Sequence, residues 1–436
     1  MKKDASGIIV TLLFIGMSTL TFNIQLAKTN HTTITVPDNY STIQEAINNA
    51  NEGDTIFVRN KTYNENIIVN KTVSLIGENK ETTIINGSSP GNVIEVTAGN
   101  VTITNFTIKN SGIGWPISGI LLNHAQNCNI SGNKLTNNNN GIRLSDSSNN
   151  TISGNNVTNN NVGIAAWDFS KNNNISRNYV ANNSPGIWLF ESSDNSLYGN
   201  EITNNDYGIR VCSCASNNKI YHNNVMNNTD QVYGWNSTNT WDNGYPYGGN
   251  YWSDYAGIDL HGGPQQNETG SDGIGDTPHT DIDAQDKYPL MGPINFFNAG
   301  TWNQTTYYIN TVSNSTVSDF HFNEVNKLVS FNITRPDDTI SFCRITIPKK
   351  LLWCDHPEEW QVWVNITLIE NRKIMEDTSY TYVYFICNHT TQNVEAIGVH
   401  VIPEFPLWTP ILLILIILTV ATAITKRRLP KIPIFA

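Results

Sequence analysis

Between residues 119 and 230 the apolar positions never form a long run. Single Ile, Leu and Val residues alternate with polar ones in short segments, a period of two that belongs to strands and excludes a helix of period 3.6. Gly119, Gly141, Gly163, Gly186 and Gly208 each precede an isoleucine, at intervals of 22 or 23 residues. Aligned on these glycines, one apolar column holds Ile120, Ile142, Ile164, Ile187 and Ile209. A second holds Ile130, Ile152, Ile175, Leu197 and Ile220, and a third Leu135, Val157, Val180, Ile202 and Val225. Three short strands per unit, repeated at constant length, predict one coil of a right-handed parallel β-helix per unit. "GIRLSDSSNNTISGNNVTNNNV", which resembles a linker in composition, is then one complete coil.

Asparagines also fall in columns: Asn133, Asn155, Asn178, Asn200 and Asn223; Asn150, Asn173, Asn195 and Asn218; and Asn137, Asn159, Asn182, Asn204 and Asn227. At turns of a stacked coil an amide can donate and accept between copies and tolerate left-handed angles, so these columns are expected to be structural ladders. Sequons inside them, at Asn182 and Asn227, are expected to be poor glycan acceptors.

Upstream, "DTIFV", "VSLIG" and "VTITNFTI" read as less regular coils, giving roughly eight in all. "STIQEAINNA" reads as a short capping helix with Ser41 and Gln44 as a capping box, covering the open end of the solenoid. Downstream of residue 294, "KLVSFNIT", "ISFCRITIP" and "YTYVYFICN" alternate as strands of a small β-sandwich. The expected class is therefore all-β: a β-helix over residues 33–294 and a sandwich over 295–400.

The termini add a topology. Two lysines precede the apolar run "GIIVTLLFIGMSTLTF", so residues 1–27 read as a signal peptide or signal anchor. Residues 407–424 are uncharged and followed by Lys426, Arg427 and Arg428, so residues 401–425 read as a Pro-rich linker and membrane span, with 426–436 a cytoplasmic tail. The bulk of the chain is expected outside the cell membrane, with about twenty N-x-[ST] sequons open to glycosylation. The net charge of -11 leaves no basic face for nucleic acid. Six cysteines in an exported chain imply disulfides, Cys343 with Cys354 the favoured pair and Cys354 with Cys387 its rival.

The opening "ITVPDNYSTIQEAINNANEGDTIFV", the G-I-x-L…N-x-I-x-x-N coils and the closing "GNYWSDYAGIDL…DGIGDTPH…DKYPLM" resemble NosD-type β-helix proteins, within the wider pectin-lyase-like class. With the following β-domain and the Pro-Glu-Phe-Pro anchor, the whole resembles archaeal cell-surface proteins. The resemblance implies a right-handed β-helix over about residues 33–294 and brings three chemistries into view.

One is copper-site maturation, for which Cys212, Cys214, His222 and Met226 are the candidate cluster. Another is sugar chemistry on the exposed face, where the column His124, Asp146, Asp168, Glu191 and Ser213 lies beside Trp167, Trp188, Phe190, Arg143 and Arg210. Carboxylates one coil apart could serve a lyase or hydrolase. No Asn-Thr-Asp, Asp-Asp or Gly-His-Gly set of the polygalacturonase kind is present. A non-enzymatic role in envelope structure, adhesion or glycan binding through Arg143, Asp146, Trp167, Asp168, Trp188, Phe190, Glu191 and Arg210 is the expectation. The third is calcium, for which Asp259, Asp272, Asp276, Asp281 and Asp283 have loop-ligand spacing, with Asp286 nearby.

Overall fold

The computed structural model describes residues 31–402, except 88–89, 213, 235–236, 282–283, 336–339 and 388–390. Among them no helix is long and apolar enough to cross a membrane. The expected signal segment, the span at 407–424 and the basic tail lie outside the described residues.

The solenoid has three parallel sheets of nine, eight and nine strands, about nine coils rather than eight. The apolar columns are in register. Ile120, Ile142, Ile164, Ile187 and Ile209 pair in sequence along one sheet. Ile130, Ile152, Ile175, Leu197 and Ile220 do so along a second. Leu135, Val157, Val180, Ile202 and Val225 follow along the third. Every one of these fifteen side chains is fully buried, so the three columns meet in a continuous core. The glycine before each isoleucine lies where coils approach most closely: a Cβ on Gly141 would stand 2.6 Å from the Gly163 carbonyl oxygen.

Asparagine amides tie the coils at the corners. Asn155 Nδ2 donates to Asn178 Oδ1 at 3.0 Å, and the Asn155 backbone N–H donates to the same oxygen. This pattern runs from Asn133 through Asn155, Asn178 and Asn200 to Asn223. A second ladder links Asn150, Asn173, Asn195 and Asn218 and ends on Asn239. The third ladder is displaced by one residue from the sequence expectation. Asn138, Asn160, Asn183, Asn205 and Asn228 are the buried, stacked amides. Asn137, Asn159, Asn182, Asn204 and Asn227 instead take φ of 53 to 57°. They stand exposed at the turn, so stacking gives no reason for Asn182 and Asn227 to be poor glycan acceptors.

Both ends of the stack are covered. The helix Ile43–Asn49 buries Ile43, Ala46 and Ile47. Its N-cap is Thr42, whose hydroxyl accepts from Glu45 N at 3.1 Å, one residue beyond the expected Ser41–Gln44 box. At the far end the closing motif finishes what the repeat began. Asn250 adds a rung above Asn223, and Trp252 continues the third apolar column above Val225. The buried Asp286 accepts from Asn250 N at 2.6 Å and Trp252 Nε1 at 2.9 Å. A carboxyl oxygen, accepting both bonds, ends a ladder whose last groups are N–H donors.

Residues from Ile294 form two five-stranded antiparallel sheets that share one core, including Ile309, Ile345 and Phe385 from one and Phe331, Val362 and Val394 from the other. Cys343 and Cys354 are not bonded; with Cys387 they are free and buried in that core. Cys343 sits within the strand Ser341–Pro348, opposite Phe385. Cys354 follows the separate pair Leu352–Trp353. The disulfide found among the described residues joins Cys212 and Cys214.

The β-domain is seated on the closing motif. The Asn224 amide bonds both ways with the Ile294 backbone, Lys373 donates to the Gly270 carbonyl at 2.8 Å, and the fully buried Arg344 reaches the Pro246 carbonyl.

Candidate functional site

The sheet containing the strands Asn140–Ser145, Val162–Trp167, Ile187–Leu189 and Tyr207–Val211 presents one outward column of chemically unlike residues. Register aligns Leu121, Arg143, Ala165, Trp188, Arg210 and Tyr233. The neighbouring outward position aligns Asn123, Ser145 and Trp167. Strand geometry forces alternate residues inward and leaves these free to vary. Ala165, between Arg143 and Trp188, is small and fully buried beneath this layer.

The rings make one cluster. Trp167 stacks on Phe190 at 4.2 Å and meets Trp188 edge-on at 4.7 Å. Trp115 packs on Trp167 at 4.1 Å. It arrives from the loop before the strand Ser118–Asn123 and is 50% exposed, so the cluster has a wet aromatic surface. Two guanidinium groups flank it. Arg143 Cζ lies 3.6 Å from the Trp115 ring centre, and Arg210 Cζ lies 4.2 Å from that of Trp188. Burial pushes the Arg143 guanidinium down, against the opposing pull of Asp168. Arg143 donates to Asp168 Oδ2 at 2.9 Å, and Ser145 Oγ donates to the same oxygen. The Arg143 Nε and Nη1, the Trp167 Nε1 and the Arg210 Nε are buried without partners.

Of the residues expected from sequence, the structure brings Arg143, Trp167, Asp168, Trp188, Phe190 and Arg210 together. Asp146 instead pairs with His124 at 3.4 Å, both exposed. Glu191 receives its turn from the Cys212–Cys214 bridge, its backbone N–H donating to both sulfurs. His124, Asp146, Asp168 and Glu191 all have φ between 45 and 54°. This column is a left-handed corner, which alone favours Asp and His. Ser213 lies outside the described residues. Trp115 was not among the expected residues because it lies outside the repeat alignment. The available signal was a Trp-Pro in a loop that interrupts the coil beside the first regular strand.

Among the described residues, the aspartates Asp259, Asp272 and Asp276 with calcium-loop spacing are each engaged by backbone N–H groups. Asp259 accepts from the backbone of Asp272 and Gly273, at 3.0 and 2.7 Å, and burial pushes its carboxyl up to about 7. Asp272 accepts from Ile274 N. Asp276 accepts from Leu260 N, His261 N and His261 Nδ1. Asp281 ends the strand His279–Asp281, and Asp283 lies outside the described residues. These carboxylates shape the closing loop by holding backbone N–H groups. Among the described residues no group of three His, Cys, Asp or Glu could hold a metal ion.

Residues 22–257 match the family described as periplasmic copper-binding protein (NosD). The chain belongs to the NosD family. The family description implies copper, and the candidate ligands do not fit it. Cys212 and Cys214 are spent on each other. His222 is buried and stacks on Tyr247 at 4.4 Å, and its Nε2 bonds the Tyr247 carbonyl. Burial pushes its pKa down to about 4.

No curated protein sequence matches this NosD-family chain significantly. Several solved structures are similar to parts of the chain at low identity. An alginate lyase from a Paenibacillus species is 14% identical, with a TM-score of 0.33, covering 51% of this chain and 98% of that one. The A-module of a mannuronan C-5 epimerase from Azotobacter vinelandii is 13% identical, with a TM-score of 0.30, covering 45% and 74%. A Geobacillus virus E2 protein is 12% identical, with a TM-score of 0.33, covering 72% and 73%. No residue role carries over from these likenesses.

Proposed function

We propose that this NosD-family protein is a non-enzymatic, surface-displayed β-helix that binds glycan on the Trp115–Trp167–Trp188 face. The observation that carries the reading is the half-exposed Trp115 packed on Trp167 at 4.1 Å and backed by Arg143. Sugar rings offer apolar C–H faces to aromatic planes and hydroxyls to guanidinium donors. An exposed aromatic layer held rigid by a solenoid meets that need without induced ordering, and contiguous exposed apolar surface marks interaction sites.

The carboxylates support binding over hydrolysis in this reading. Glycoside cleavage uses two of them flanking one bond. Asp168 is held by Arg143 and Ser145, and Asp146 faces His124. In this reading the apolar N-terminal run exports the chain, and the span at 407–424 fixes it in the cell membrane with the solenoid outside. The test is a glycan array probed with the intact protein and with Trp188→Ala. Binding lost or reduced in the variant supports the reading; no binding, or binding indifferent to Trp188, sinks it.

A further inference from the structure

A second surface lies where the β-domain overhangs the solenoid, on a sheet different from the tryptophan face. Tyr198 and Tyr221 are outward and in register on adjacent coils, and their rings stack at 5.7 Å and 8°. Tyr247 meets Tyr221 at 6.0 Å and Tyr380 of the β-domain at 5.2 Å. These four rings line a cavity of about 590 Å³ roofed by the hairpin of Ile294–Trp302 and Thr305–Ser313. That volume falls within the range of roughly 300–1,000 Å³ typical of small-ligand sites.

The cavity differs in charge from the rest of the molecule. The chain carries a net charge of -11, yet Arg177, Lys349 and Lys350 line this space and no carboxylate does. Lys349 is balanced by Glu376 at 3.3 Å. Arg177 lies over the Tyr308 ring at 4.3 Å, and neither it nor Lys350 has an ion-pair partner among the described residues. Arg177 also breaks the repeat: it holds φ of 53° at a corner where Gly132, Gly154 and Gly199 stand in neighbouring coils. A cation has been placed at a position whose backbone favours glycine.

A polar group waits inside. Asn310 is 6% exposed and lines the cavity, and its Oδ1 is buried without a hydrogen-bond partner. An amide oxygen left without a partner destabilises the fold unless something satisfies it. A seam serving only to join two domains would be expected to close over these rings and pair this amide.

We propose that the seam is a second binding site, for a short carboxylated saccharide whose ring stacks on the Tyr198–Tyr221 pair and whose carboxylate meets Arg177 and Lys350. Tyrosine planes suit the apolar sugar face. The phenols and the hydroxyls of Thr306 and Ser379 suit its hydroxyls. The site stands independently of the tryptophan face.

The test is calorimetric titration of the full-length protein with trigalacturonate, with neutral galactotriose and with sodium sulfate. Trigalacturonate should bind, galactotriose at least about tenfold more weakly, and sulfate should not compete at equal concentration. Lys350→Glu lies on an exposed, unpaired side chain and should weaken trigalacturonate at least about fivefold without moving the melting temperature. Arg177→Gln should do the same, with its folding checked separately because Arg177 also holds Tyr308. Trp188→Ala should leave this binding unchanged. No binding of trigalacturonate, equal binding of the two trisaccharides, effective competition by sulfate as an adventitious ion only, or binding lost in Trp188→Ala but kept in Lys350→Glu would each overturn the proposal.

Discussion

The guanidinium carbon of Arg143 lies 3.6 Å from the ring centre of Trp115, so a loop outside the repeat is fastened onto a side chain the repeat leaves free. The two residues contribute differently. Arg143 is 3% exposed and joined to Asp168, whereas Trp115 is half exposed. Trp115→Ala should therefore weaken glycan binding while changing stability by less than about 1 kcal/mol. Arg143→Ala removes buried packing and leaves the partly exposed Asp168 without its cation, at a cost of about 1–2 kcal/mol. Urea unfolding of the two variants separates them, and equal destabilisation would show that Trp115 is a core residue.

Asn178 lies in the middle of a buried ladder. Its Oδ1 accepts from the Asn155 backbone and side chain, and its Nδ2 donates to Ile152 O and Asn200 Oδ1. Asn178→Ala strands several buried groups at once and should cost about 3 kcal/mol. The exposed neighbour Asn182 makes no such ladder, so Asn182→Gly should cost less than about 0.5 kcal/mol. Chemical denaturation of both variants checks the contrast.

These residues also show what the sequence could and could not convey. The apolar columns were legible because each coil repeats the same inward positions, and stacking in register requires that periodicity. The third asparagine ladder was displaced by one residue because adjacent asparagines, such as Asn159 and Asn160, are chemically identical in the alignment. Only backbone angles separate the left-handed turn residue from the stacked one. Most of the tryptophan face was readable as outward variation within the repeat. Trp115 was not, because it reaches the face through an irregular loop. The Tyr–Arg seam was invisible for a stronger reason: it joins residues more than a hundred positions apart across a domain junction that no repeat encodes.

Asp286 ends the ladder at the solenoid's closing end, and burial pushes its carboxyl up to about 7. The folded state therefore holds this proton more tightly than the unfolded chain, whose carboxyl titrates near 4. Its contribution to stability falls as pH rises from about 4 to about 7 and is flat above. Asp286→Asn keeps an acceptor for Trp252 and Asn250 but does not ionise. The difference in unfolding free energy between wild type and variant should shift by on the order of 2–4 kcal/mol across that window. Parallel stability profiles from pH 4 to 8 would count against an ionising Asp286.

Copper offers a separate check on the family description. With Cys212 bonded to Cys214 and His222 locked against Tyr247, the oxidised protein should not withdraw Cu(I) from a chromophoric chelator. Stoichiometric withdrawal that disappears in His222→Ala would mean that these groups do converge on a metal.

Glycan binding on the tryptophan face is tested most directly by the affinity of the strongest neutral array ligand for wild type, Trp115→Ala and Lys350→Glu, measured by calorimetry. The prediction is a loss of at least about tenfold in Trp115→Ala, from the removed aromatic surface, and no change in Lys350→Glu. An affinity unchanged by Trp115→Ala would contradict it.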